Sequence, residues 1–298
     1  MDKALMRNPK ILLVMAFVLG ACLPALTAAP GTATAGPAMN DAAKPDAVKP
    51  DPASPALASH KAIYELRLLE GAGTKAPAGA SGRIAFDFSS ACEGYAQTLR
   101  QVVDMQPQEG ERQITETRTT TYEDAKGSDF RFNVASAGGK DEEVDGHAER
   151  TRGALSIALT RPKPFTLSAD NAVLFPTQHI GRVIAAASAG EKIFLSRVYD
   201  ASDDGRKIFD VTAIIGALEQ GPDADKGAQA ANLRGLRRWP VALAYFPPNQ
   251  RDGAPDYVLS FHLYENGVSS GLKLDYGDFV LTGELTEIEF PAPAKCRR

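Results

Sequence analysis

The most conspicuous chemical spacing in this chain lies near its C-terminus, where Gly267-Val268-Ser269-Ser270-Gly271 matches the G-x-S-x-G pattern of an α/β-hydrolase nucleophile. In that chemistry the serine stands on a sharp strand-to-helix turn, which exposes its hydroxyl for attack on a carbonyl. Here the pattern follows the hairpin signal Asn266-Gly267 and runs into the alternation Leu272, Leu274, Tyr276. Its glycines therefore read as turn and twist residues. A second candidate, Asp200-Ala201-Ser202-Asp203-Asp204-Gly205, offers oxygens at alternate positions before a glycine, as a hard cation requires. The position that should carry a closing bidentate glutamate is Val211, and the flanks Val198-Tyr199 and Ile208 to Ile215 are strand-like. The segment is read as a hairpin turn with Asx-type hydrogen bonds.

The four histidines, His60, His147, His179 and His262, share no metal-ligand spacing. His179, in the first turn of a predicted helix, and His262, on the outward phase of a strand, read as surface or capping residues. Asp141, Glu142 and Glu143 read as an acidic turn. No catalytic residue, metal ligand or cofactor site is assigned. Three cysteines are present. Cys22 leaves the fold with the N-terminal segment, and the remaining pair, Cys92 and Cys296, is expected to form a disulfide in an oxidising compartment. Neither has a CxxC partner or a neighbouring histidine, which argues against redox or metal use.

The elements that must hold these residues are mostly strands. Period-two alternation runs through Ile84, Phe86, Phe88; Phe130, Phe132, Val134; Leu155, Ile157, Leu159; Trp239, Val241, Leu243, Tyr245; and Tyr257, Leu259, Phe261, Leu263. The β-branched run Thr115 to Tyr122 suits another strand. A dozen or so antiparallel strands are expected. One segment differs: after Pro176 and Thr177, the residues Ile180, Val183, Ile184 and Ala187 fall at helical spacing and Gly190 supplies a stop. This predicts an amphipathic helix at about 177–189, whose apolar face covers a concave sheet or acts as a plug or lid.

Upstream, Lys3, Arg7 and Lys10 precede the apolar run Ile11 to Leu19 and then small residues, the order of a secretion signal. Two processing schemes are open: removal after Leu26-Thr27-Ala28, or a lipobox at Leu19-Gly20-Ala21-Cys22 that lipidates Cys22. Removal is favoured because Gly20 is unusual in a lipobox and apolar sequence continues beyond Cys22. Residues 29–58 are rich in Ala and Pro and carry no aromatic residue. They read as an extended tether, since nothing in them offsets ordering entropy by burial. The expected organisation is a signal peptide at 1–28, a tether at 29–58 and one domain at 59–298, located in the periplasm. No later segment approaches the ~18 apolar residues that a membrane span requires. A net charge of -4, more negative once the basic leader is gone, argues against nucleic acid. The densest basic run, Arg234 to Arg238, reads as a solvated strand entrance.

Several strings resemble the EipB family of periplasmic cell-envelope integrity proteins of alphaproteobacteria: His60 to Leu68 (HKAIYELRL), Ser90 to Tyr95 (SACEGY), Phe175 to His179 (FPTQH), Val198 to Gly205 (VYDASDDG), Leu263 to Phe279 (LYENGVSSGLKLDYGDF) and Ala294-Lys295-Cys296. The resemblance covers roughly His60 to Cys296. It implies a mainly β fold, an antiparallel β-spiral or incompletely closed barrel resembling periplasmic lipoprotein carriers, with one helix in its concavity. It also implies one stabilising disulfide, mapping onto Cys92 and Cys296, no catalytic residues, and association with a periplasmic tetratricopeptide-repeat protein. The long Ala/Pro stretch departs from the compact family pattern and leaves open whether the chain is tethered or processed.

The function expected is a non-catalytic one: a scaffold or binding module that maintains the cell envelope and holds a lipid, an acyl chain or a partner segment. The alternatives are an envelope hydrolase with an unrecognised site and an edge-strand protein-interaction module.

Overall fold

The computed structural model describes residues 56–139, 141–220, 230–292 and 294. The segments read as signal peptide and tether lie outside these residues, apart from the tether's last three positions. Fifteen strands are present among the described residues: β1 (His60–Gly71), β2 (Gly79–Ser90), β3 (Gly94–Gln106), β4 (Gln113–Asp124), β5 (Asp129–Ala137), β6 (Glu142–Arg150), β7 (Leu155–Arg161), β8 (Phe165–Ala169), β9 (Val173–Leu174), β10 (Ile193–Val198), β11 (Phe209–Ile215), β12 (Arg238–Phe246), β13 (Tyr257–Tyr264), β14 (Ser269–Asp275) and β15 (Phe279–Glu289). Helix α1 is Pro176–Ser188, and a four-residue helix, α2, is Ala230–Leu233.

All strands join one sheet in the order β8-β7-β6-β5-β4-β3-β2-β1-β15-β14-β13-β12-β11-β10-β9. Every neighbouring pair is antiparallel except β9 with β10. The first and last strands therefore meet in mid-sheet, with Leu66 opposite Gly283. The alternating sequences give the expected strands because side chains along a strand point to opposite faces, so one apolar set can be buried. In β12, for example, Trp239, Val241, Leu243 and Tyr245 all point into the core.

The sheet curls into a nearly closed barrel. Its curl is visible in contacts between opposite ends of the strand order. Tyr199, after β10, packs edge-on against Phe132 of β5 with ring centroids 5.6 Å apart. Gly205, in the β10–β11 connection, lies so close to Val144 of β6 that an added Cβ would stand 2.6 Å from Val144 Cγ1. The edges β8 and β9 do not pair with each other. Beside that seam, Arg150 at the end of β6 ties the β4–β5 turn to β9 and the segment before it: Nε donates to Gly127 O at 3.0 Å, Nη2 to Val173 O at 2.8 Å, and Nη1 to Asn171 O. Its guanidinium also stacks 5.2 Å from the centre of the Phe175 ring.

Three sequence expectations need correction. Glu142 and Glu143 open β6 and do not form a turn; Glu143 pairs across the sheet with Arg161 and accepts from Asn133 at 2.9 Å, so cross-strand partners offset its charge. Leu57, assigned to the tether, is buried in the core. Its neighbour Ala58 donates its N–H to Asn266 O at 2.9 Å, which extends the folded body upstream of β1. The strand count also exceeds the expected dozen, because charged strands such as β6 and short ones such as β9 carry little apolar alternation.

Candidate binding pocket

Helix α1 occupies the barrel interior, and its position is set by residues from β3 and β4. Phe175 is the N-cap and has no side-chain oxygen to satisfy the first helical N–H groups. Glu123 supplies that acceptor, taking the backbone N–H of Thr177 at 2.5 Å and of Gln178 at 3.2 Å. The Thr177 hydroxyl also donates to Glu123, while Gln97 Nε2 donates to Thr177 Oγ1 at 2.8 Å. Gln178 Oε1 in turn accepts the Phe175 N–H at 3.2 Å. Burial pushes the Glu123 carboxyl up to about 7, outweighing the hydrogen bonds that favour its charged form.

The helix is buried on more sides than an amphipathic stripe implies. Val183, Ile184 and Ala187 are in the core as expected, but so are His179, Gly181 and Ala186. Ile180 is only partly buried, because it faces a pocket. His179 is therefore not a surface or capping residue: its ring lies 6.2 Å from that of Phe194, and burial lowers its pKa to about 4. The interior placement of α1, which a stripe pattern does not reveal, is the reason.

The pocket beside the first turn of α1 has a volume of about 70 Å³. Its walls are largely apolar, with Phe86 and Phe88 from β2, Leu259 and Phe261 from β13, Leu272 from β14 and Ile180 from α1, and the polar residues Gln97, Thr177 and Ser269 complete them. Leu57 and His60 close one side. His60 rests against Phe86 and Phe88, with ring centroids at 5.5 and 5.7 Å, and its Nδ1–H donates to Ala58 O at 2.8 Å. Burial lowers its pKa and keeps the imidazole neutral.

Ser269 lies on strand β14, where its peptide carbonyl accepts the Tyr64 hydroxyl at 2.8 Å. Ser270 Oγ is directed at Tyr264 OH, 3.5 Å away. The strand-to-helix elbow that nucleophilic attack requires is absent from this segment. The aspartate-rich segment is a β10–β11 hairpin connection with the expected Asx bonds, Ser202 N–H to Asp200 Oδ1 and Arg206 N–H to Asp204 Oδ1, both 3.1 Å. It is folded inward, however, so that Asp200 and Ser202 are buried and the Asp200 carboxyl is pushed up to about 7 by desolvation. His262 faces outward, 3.4 Å from Glu219, and His147 is exposed on β6. Cys92 is disulfide-bonded. Cys296, the partner expected for it, lies outside the described residues. Among the described residues no group of His, Cys, Asp and Glu has the geometry to hold a metal ion, and no helix is long and apolar enough to cross a membrane.

Sequence reasoning missed Glu123, Gln97 and Arg150. A signal for the first was present: in β4 the inward phase runs Thr117, Thr119, Thr121, Glu123, all buried, so the strand carries a polar row into the barrel.

A nearly closed antiparallel barrel with a helix in its bore and a small apolar pocket at that helix's N-terminus defines the class of protein. The comparisons with known proteins agree with that architecture. The family model described as EipB-like matches residues 52–292. The cell envelope integrity protein EipB of Brucella abortus (strain 2308) is 36% identical over 237 residues, which covers 78% of this chain and 84% of that protein. The crystal structure of a β-barrel-like protein of a domain of unknown function, also from Brucella abortus, aligns with a TM-score of 0.74 at 34% identity, covering 80% of this chain and 100% of that one. The chain belongs to the EipB-like family.

Proposed function

We propose that this chain is a non-catalytic periplasmic protein that helps to maintain cell-envelope integrity, working as a binding module on a rigid barrel scaffold. The observation that carries this reading is the pocket itself. It is a largely apolar space, bounded by aromatic rings and flanked by a helix whose first turn is clamped by Glu123 and Gln97. Small-molecule sites generally enclose about 300–1,000 Å³. A pocket of about 70 Å³ therefore suits the end of a lipid or acyl chain, with the rest of the molecule outside the barrel. The name of the Brucella relative supports the envelope role, and the leader-like N-terminus supports export.

Native mass spectrometry of the protein purified from an envelope extract, before and after gentle organic extraction, tests the reading. A removable lipid-sized adduct is expected. A clean mass in both samples counts against lipid binding and favours a purely structural scaffold.

A second reading has its own observation. On β10, Ile193 and Leu195 are exposed, and Ile214 beside them on β11 is exposed too. The two-residue strand β9 pairs with only Arg197 and Val198, which leaves the start of β10 without a strand partner on that side among the described residues. Such an edge accepts an extended partner segment. The tetratricopeptide-repeat protein implied by the family resemblance is the partner proposed for it. Loss of co-purification on Leu195→Lys, with the fold intact, is the expected result.

A further inference from the structure

We infer that the pocket is a site for the uncharged, apolar end of an alkyl chain and that Leu57 is its displaceable gate. The inference rests on the binding-module reading above and deepens it by naming the ligand's chemistry and the residue that controls access. What the site accepts is visible in what already sits at it. Leu57 is 9% exposed, lines the pocket, and packs against the backbone at Gly267, where an added Cβ would lie 2.9 Å from Leu57 Cδ2. A branched alkyl group from the chain itself therefore forms part of the pocket wall, beside the space that an incoming chain end would take.

The gate is separable from the barrel. Leu57 precedes β1, and among the described residues the backbone ties of this segment belong to its neighbour: Ala58 donates to Asn266 O at 2.9 Å and accepts from His60 Nδ1 at 2.8 Å. Leu57 can swing out while Ala58 and the β1 ladder stay in place. Chemistry selects the ligand's end as well. Among the lining residues the one titratable side chain is His60, whose ring is turned to a carbonyl and kept neutral by burial. A carboxylate or phosphate entering the pocket would find no cation there, and the few neutral polar groups of the lining, Gln97, Thr177 and Ser269, do not replace the hydration of a full charge. The charged or polar head stays outside and the alkyl end goes in.

The test uses N-phenyl-1-naphthylamine, an uncharged apolar fluorophore, titrated into purified protein carrying Leu57, Leu57→Gly, Leu57→Ala or Leu57→Trp. Removing the gate is expected to tighten binding about ten-fold relative to Leu57→Trp, with the unsubstituted protein between them. Thermal midpoints of the variants check that each is folded, and two shortened variants guard against failure of either one. The double variant Ile193→Ser, Leu195→Ser removes the exposed patch on β10 and should leave the titration unchanged. Equal affinity in all Leu57 chains, absence of saturable binding in every chain, or loss of binding in the β10 variant would overturn the inference. The native mass measurement separates this outcome from the fate of the binding-module reading. A bound lipid with uptake indifferent to Leu57 keeps that reading and discards this site. Leu57-dependent uptake without a bound lipid keeps the site and discards a resident lipid.

Discussion

Glu123 stands 2.5 Å from the backbone nitrogen of Thr177, so the carboxylate that starts α1 comes from a strand residue 54 positions upstream. The helix is thereby fixed to the wall of the barrel at its first turn, where a local capping side chain is missing because Phe175 fills that position.

The same contact predicts a pH dependence. Glu123 is raised from 4.5 to about 7 in the folded protein, and Asp200 from 3.8 to about 7. Between those limits the folded state holds protons that the unfolded state has released, so both groups make stability fall as pH rises through this window. His179 is lowered from 6.5 to about 4 and His60 is also lowered, so both make stability rise with pH over the range in which the unfolded histidines deprotonate. The carboxyls and the histidines therefore act on the pH profile of the native protein in opposite directions. Glu123→Gln should tilt it upward with pH, and His179→Asn downward. Thermal midpoints across this range check both signs, and an unchanged slope in either variant would contradict the assignment.

Arg150 predicts a cost at the seam. Lysine cannot reproduce a guanidinium that donates to the carbonyls of Gly127, Asn171 and Val173 at once. Arg150→Lys is expected to destabilise the protein by about 2–3 kcal/mol through unpaired carbonyls. Urea unfolding measures this, and a loss below about 0.5 kcal/mol would show that the seam closes without the clamp.

Gly205 predicts a steric conflict that a second change relieves. Its φ is +76°, and a Cβ there would meet Val144 Cγ1 at 2.6 Å and Leu159 Cδ2 at 3.0 Å. Gly205→Ala should cost about 1–3 kcal/mol, and adding Val144→Ala should recover part of it. Strict additivity of the two losses in a double-mutant cycle would place the hairpin connection away from β6.

The disulfide at Cys92 predicts equivalence. If its partner is Cys296, then Cys92→Ser, Cys296→Ser and the double variant should lose the same stability, up to about 5 kcal/mol for so long a loop. Unequal losses under oxidising conditions would point to a different pairing.

Much of the fold was legible because barrels bury one face of each strand. β2, β5, β7, β12 and β13 follow from alternation alone, and α1 follows from the spacing of Ile180, Val183, Ile184 and Ala187. β6 was not legible, since its outward residues are charged and are satisfied by partners distant in sequence, such as Arg161 for Glu143. The site was less readable than the fold. Periodicity places a side chain on a face without saying what lies across the bore, so the buried state of His179 and the cap from Glu123 depend on where α1 docks. Leu57 was hidden by composition: one apolar residue at the end of an Ala/Pro stretch gives no pattern, and its burial depends on the Asn266-Gly267 turn more than two hundred residues away.

The pairing of β1 with β15 also sets an order of events. In a chain that emerges N-terminus first, β1 can find β2 at once, but its other edge waits for the last strand to arrive. Until then the sheet exists as two unjoined arms, β1 to β8 and β9 to β14, and neither can form the barrel alone. Whichever arm folds first, closure of the barrel waits for β15, so the last strand of the chain is the one that completes the whole sheet.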